Sequence, residues 1–175
     1  HGQLGRDGPV GEFRRVMGLP LIRFIACGSS HSLAISEKGE LFGFGAGLNG
    51  QLGLGERVAV TKEPVKIALN DPVVSCAGGG GLGCAHTIAV SSDGSCVYVF
   101  GSNKYGQLGV ASAGEGDTVL SPKRLPVKNV IGVSSGWIHT VLLQEKTDKS
   151  LTVAESNLLG YFQMSKISQI TCKWC

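Results

Sequence analysis

No stretch of this sequence approaches the eighteen or more consecutive apolar residues that a membrane-spanning helix needs, and no window of ten or more carries an apolar stripe at helical period. The first absence excludes a helical membrane span, and the second argues against helical bundles. Charge is sparse as well: 17% of the residues are charged and the net charge is +3. That balance is too small to argue for nucleic acid or chromatin as a partner, even with Arg6, Arg14, Arg15 and Arg23 near the start and lysine without an acid in the last twenty residues. No signal peptide is visible, and no disulfide framework of the small secreted type can be drawn from the six cysteines.

Twenty-seven glycines stand instead, and they mark turns at fixed intervals. Gly-Gln-Leu-Gly occurs three times, around Gln3-Leu4, Gln51-Leu52 and Gln107-Leu108. A second signature keeps step: Gly28-Ser-Ser-His31, Gly83-Cys-Ala-His86 and Gly136-Trp-Ile-His139 each open a short apolar run. Gln3 to Gln51 is 48 residues, Gln51 to Gln107 is 56, His31 to His86 is 55 and His86 to His139 is 53, a period that suits a propeller blade and not a helical solenoid. From each His to the next Gln the distance is 20 and then 21 residues, whereas from Gln to the following His it is 28, 35 and 32. Length variation therefore sits in one half of the repeat.

In the constant half, runs such as Ser32–Ser36 and Thr87–Ser91 are followed by Glu37-Lys-Gly39 or Ser92-Asp-Gly94, then by a second run ending Phe44-Gly45 or Phe100-Gly101. Two short apolar runs around such a turn predict a hairpin. The variable half is polar, as in Glu56 to Pro64 and Ala111 to Pro126, before runs such as Leu21–Ile25 and Val73–Cys76. Together they predict an all-β fold with about four strands per repeat. Glycine permits close backbone approach where blades crowd, Leu4, Leu52 and Leu108 can plug the space between sheets, and Gln3, Gln51 and Gln107 can satisfy loop amides and carbonyls otherwise buried unpaired.

These motifs resemble the regulator of chromosome condensation repeat family, in which the Gly-Gln-Leu-Gly turn, the Gly-x-x-His step and a strand ending in an aromatic and Gly recur about every fifty residues. The resemblance covers roughly residues 1 to 145; the aromatic, usually Trp in the family, is Phe44 and Phe100 here. It implies a β-propeller of seven blades, of which this chain holds an incomplete one of about three four-stranded blades. Repeat units fall at about 1–48, 49–104 and 105–160, the last degenerate, with 161–175 a tail outside the repeat. His at residue 1, inside a turn motif, together with the count of three, leads us to expect a piece of a longer propeller.

Other patterns read as parts of the repeat. Gly78-Gly-Gly80-Gly-Leu-Gly83 and Gly45-Ala-Gly47-Leu-Asn-Gly50 match Gly-x-Gly-x-x-Gly, but dinucleotide binding needs a helix at the last Gly, and another turn or a strand-like run follows instead. His31, His86 and His139 occupy equivalent positions, which favours a structural role over catalysis or a shared metal. Cys27, Cys76 and Cys96 lie in apolar runs, as reduced core residues would. Cys172-Lys-Trp-Cys175 lacks the two further ligands of a structural zinc site. No enzyme active site, cofactor site or metal site is expected.

The resemblance implies a function in protein binding. Family members include the exchange factor for the nuclear GTPase Ran, and modules attached to kinases and ubiquitin ligases. Gly101 to Gly109 and Ser135 to His139 are similar to stretches of the secretion-regulating exchange factor. The first reading is a scaffold whose loops Glu56 to Glu63 and Ala111 to Ser121 form one rim; the second is exchange on a small GTPase, with Glu115, Asp117, Lys123 and Arg124 as candidate contacts in the long stretch Val110 to Pro126. A third is a fragment without independent function, self-associating through uncovered sheet faces. A cytoplasmic or nuclear location fits all three.

Overall fold

Hairpins form where Gly follows an apolar run. Gly39 and Gly94 sit at φ 79° and 64°, and their N–H groups donate to Ser36 O and Ser91 O at 2.9 and 3.0 Å, folding each run back on the next. The computed structural model describes residues 2–8, 11–81, 83–111, 117–145, 150–154 and 159–163, the last two stretches as backbone alone. Among them run strands β1 (Ile22–Cys27), β2 (His31–Ser36), β3 (Leu41–Gly47), β4 (Val58–Lys66), β5 (Val73–Gly79), β6 (His86–Ser91), β7 (Val97–Ser102), β8 (Thr118–Leu125), β9 (Val130–Ser135), β10 (Thr140–Gln144), β11 (Ser150–Ala154) and β12 (Leu159–Gln163).

They make three four-stranded antiparallel sheets in chain order, β1-β2-β3-β4, β5-β6-β7-β8 and β9-β10-β11-β12, each a blade. Consecutive blades meet at their first strands: β1 and β2 pack on β5, and β5 and β6 pack on β9. This is an incomplete propeller. The blades are phased differently from units drawn on the Gln motif, because the boundaries at 48 and 104 fall between a third and a fourth strand and the boundary at 160 falls inside β12. Most of the expected tail, Cys172 and Cys175 included, lies outside the described residues.

One sequence expectation is corrected by β4 and β8. Much of Glu56 to Glu63 and of Val110 to Pro126 is strand and not loop. A fourth strand pairs on one side only and faces water, so it needs no strict apolar alternation and tolerates Pro64 and Pro122. Lys62, Glu63, Lys123 and Arg124 are exposed on these strands, which made the segments look like loops.

The core is aliphatic and centred on the second blade. Ile88, Val90, Val97, Val99 and Phe100 pack with Leu33, Ile35, Leu41 and Ile67 from the first blade and Val130 and Leu142 from the third. Cys76 and Cys96 belong to this core, and burial pushes the Cys76 thiol up to about 12. Cys27 does not belong: it is exposed on β1.

Candidate functional site

Gly-Gln-Leu-Gly makes the same turn three times. The N–H groups of Gly5, Gly53 and Gly109 donate to Gly2, Gly50 and Gly106 O at 3.0, 2.9 and 2.9 Å. The amide of the buried Gln51 folds back so that Oε1 accepts the Asn49 N–H at 2.9 Å; Gln107 does the same with Tyr105 at 2.9 Å, and its Nε2 donates to Cys84 O at 3.2 Å. Leu52 and Leu108 are each 2% exposed, whereas Leu4 is 46% exposed. Leu52 lies against Gly43 and Gly47 of β3. The turn also reaches the next blade, Gly53 lying on Phe100 as Gly5 lies on Phe44.

The histidines complete the contact between blades. Thr87 Oγ1 donates to Gln51 O at 2.7 Å, so its remaining partner at 2.9 Å, His31 Nε2, is the donor, and the His31 ring is neutral with its proton on Nε2. One blade on, His86 Nε2 stands 3.3 Å from Thr140 Oγ1, and one blade back Ser32 Oγ donates to Gln3 O at 2.8 Å. The histidine of one blade thus bonds the hydroxyl that follows the histidine of the next, and Thr87 and Ser32 in turn donate to the carbonyls of Gln51 and Gln3. Burial, with a smaller contribution from His86, lowers the His31 pKa to about 3; burial lowers that of His86 to about 4. Both rings are neutral at ordinary pH and bonded across a blade interface. The recurrent hydroxyl was missed at the level of sequence although it was visible there, since Ser32, Thr87 and Thr140 each follow a repeat His.

The glycine of the His step exists to admit the ring. A methyl at Gly28 would lie 2.1 Å from His31 Cε1, and one at Gly136 would lie 2.3 Å from His139 Cε1. In the second blade this residue is Gly79, whose methyl would meet His86 Cε1 at 2.3 Å, and not Gly83, around which space is open. The spacing misled because six residues join Gly79 to His86 where two join Gly28 to His31 and Gly136 to His139. The longer loop is clasped by the third blade: Trp137 packs on Gly81 and donates its Nε1–H to Cys84 Sγ at 2.9 Å, and the Gly81 N–H points at the same sulfur at 3.2 Å.

Of the four candidate GTPase contacts, the three among the described residues lie at or on strand β8 and not on a loop. Glu115 lies outside the described residues; Asp117 stands exposed at the head of β8 at φ 50°, its carbonyl accepting the Asn103 N–H at 2.7 Å. Lys123 is exposed on β8. Arg124 is engaged, its Nε 3.3 Å from Asp71 Oδ2, which also accepts the Tyr98 hydroxyl at 2.5 Å. Those bonds, the tyrosine's first, hold the Asp71 carboxyl below the usual range. Among the described residues, no three His, Cys, Asp or Glu side chains converge as a metal site would require.

Sequence and fold comparisons agree with this geometry. The Regulator of chromosome condensation (RCC1) repeat model matches residues 38–90 and 94–143, and a second model of that repeat matches 22–51. The chain is 37% identical over 155 residues to the probable E3 ubiquitin-protein ligase HERC6 of Homo sapiens, covering 81% of this chain and 14% of that protein. It is 36% identical over 134 residues to the regulator of chromosome condensation of Xenopus laevis, covering 77% of this chain and 29% of that protein. It superimposes on the crystal structure of Prp20p from Saccharomyces cerevisiae, a protein studied for its binding to Gsp1p and histones, with a TM-score of 0.69 at 25% identity over 87% of this chain and 39% of that one. The chain spans about a third or less of the curated relatives it matches. With the repeat models matching well over half its residues and the three blades carrying the repeat's turns and steps, this chain belongs to the RCC1 repeat family.

Proposed function

We propose that this segment is a protein-binding scaffold with no bond chemistry of its own. The observation that carries the reading is where the repeated polar groups go. His31, His86, Gln51, Gln107, Thr87 and Thr140 are buried and bonded within or between blades, so the groups that a catalytic reading would recruit are used to hold the fold. What differs from blade to blade is the loops. Similarity to a probable ubiquitin ligase over 14% of that protein's length supports a module that serves other domains. A partner protein in the cytoplasm or nucleus fits the scaffold.

Similarity to Prp20p, with its binding to Gsp1p, favours a second reading, guanine nucleotide exchange on a small GTPase. Release of a fluorescent guanine nucleotide from a panel of GTPases separates the two. A scaffold leaves release at its intrinsic rate; a catalytic acceleration by the chain establishes exchange. The exposed Leu21, Phe24 and Ile25 on and beside β1 lead us to propose self-association of the isolated chain, read by light scattering on a sizing column.

A further inference from the structure

Each interface between blades has an apolar bed and a polar fastening, and the chain carries one unfinished half of each at either end. The first strands align through their registers: Ile25 of β1 stands where Cys76 stands on β5 and Val133 on β9, and Cys27 stands where Gly78 and Ser135 stand. In the second blade that row faces back onto the first, since a methyl at Gly78 would lie 2.7 Å from Gly28 N and 2.9 Å from His31 Nε2. Cys76, on the same side of the strand, is 2% exposed, and Val133 packs against the core. On β1 the same row is open: Ile25 is 73% exposed and Cys27 is exposed beside it.

The fastening repeats the pattern. Ser32 holds the place of Thr87 and Thr140, directly after a repeat histidine. Its hydroxyl donates to Gln3 O as that of Thr87 donates to Gln51 O, so its oxygen still has lone pairs for a donor. Thr87 receives that donor from His31, and Ser32 receives it from no described residue. At the other end His139 holds the place of His31 and His86. Those two rings are buried and bonded to the next hydroxyl, whereas the His139 ring is half-buried and bonds no described residue. An acceptor lacking its donor thus stands on the first blade and a donor lacking its acceptor on the third.

We propose that two copies of this chain join head to tail, the third blade of one copy covering β1 of the other, with His139 of the first copy donating to Ser32 Oγ of the second. Ile25 and Cys27 then lie on the neighbouring blade as Cys76 and Gly78 lie on the first. The joint continues an interface that the chain already makes twice, between its first and second and its second and third blades. It rests on the self-association proposed above and names the surfaces that carry it. Two copies joined at both ends close as a ring of twice the three blades, within the range of about four to eight with which propellers close.

The test is sedimentation velocity over about 1 to 100 µM with two variants, each spoiling one face by placing a charge in the joint. Ile25→Asp spoils the first blade and leaves the third intact; His139→Asp does the reverse. Each alone sediments as the single 18.2 kDa chain where the unaltered chain is associated, and the two mixed in equal amounts pair through their one intact joint and stop at two copies. In the unaltered chain, alkylation of Cys27 by iodoacetamide, read on its own peptide by mass spectrometry, slows about tenfold from dilute to concentrated samples. That readout needs no variant and decides the matter even where His139→Asp does not fold. Association of either variant alone, no pairing on mixing two folded variants, or unchanged Cys27 alkylation while the chain associates overturns the joint and leaves self-association standing. A chain that stays single at every concentration overturns both. None of these outcomes bears on the scaffold reading, which fails separately if the chain accelerates nucleotide release.

Discussion

β1 and β5 are the same strand in two consecutive blades, and they live in different surroundings. β5 has the first blade on one side and the third on the other; Val73, Cys76 and Ala77 are buried. β1 has a neighbour on one side only, and Ile25 is 73% exposed with Phe24 and Cys27 also open to solvent. Leu52 against Leu4 repeats the contrast. The difference teaches that burial in this fold belongs to the interface between blades and not to the strand: one sequence pattern is core in one position and surface in another. Stability is then a sum over interfaces, and the second blade has both of its own.

The largest way to break this comparison is acid. His31 and His86 each sit at an interface of the second blade and are neutral there, with pKa values lowered to about 3 and 4, while an unfolded imidazole titrates near 6.5. The unfolded chain therefore binds more protons below 6.5. Stability is fully present above that pH and falls as pH drops toward 4, by about 1.4 kcal/mol per pH unit for each histidine. Urea midpoints at pH 7.5, 5.5 and 4.5 should fall accordingly, and His31→Gln should reduce the slope between 5.5 and 4.5 by about half.

Next in size is the leucine pair. Leu52→Ala should cost about 2 to 5 kcal/mol, and Leu4→Ala less than about 1 kcal/mol, in parallel urea titrations. Equal costs would mean that burial is not what separates the two. The glycines sharpen the contrast within one blade. Gly79→Ala drives a methyl into His86 and should cost about 3 kcal/mol, whereas Gly83→Ala meets open space and carries only the strain of a φ of 76°, about 1 kcal/mol, read from the same curves. The smallest difference between paired variants is at the hydroxyls. Thr87→Val leaves His31 Nε2 buried without an acceptor and should cost about 1 to 3 kcal/mol; Ser32→Ala, at the open side, about 0.5 to 1.5 kcal/mol by thermal melting.

Much of this was legible in the sequence because the repeat samples each position three times. The hairpins around Gly39 and Gly94, the inward Gln51 and Gln107, and the structural part of His31 and His86 follow from recurrence and turn chemistry. Three features did not, for three reasons. β4 and β8 are edge strands, where half the pairing and most of the apolar demand are absent, so their residues resemble a loop. Gly79 was hidden by an insertion, because spacing counted back from His86 lands on Gly83 when the loop between grows. The exposure of Leu4 and Cys27 is a property of neighbours that no single strand encodes. As for the candidate site, Lys123 and Arg124 were placed by composition in a loop that is a strand, and the bond from a repeat histidine to the next blade's hydroxyl joins two blades, a juxtaposition only the topology provides.

The bond from His31 to Thr87 spans 56 residues and the bond from His86 to Thr140 spans 54. During synthesis the second partner of each therefore emerges roughly 3 to 11 s after the first, at ordinary elongation rates. The first blade ends at Lys66 and the second at Leu125, so a finished blade waits roughly 1 to 4 s of that interval with its imidazole unpaired and an apolar face uncovered. During synthesis each of these two blades therefore stands for a few seconds as a sheet with one face open to chaperones, proteases and its own copies, between the end of its fourth strand and the arrival of the next blade's hydroxyl.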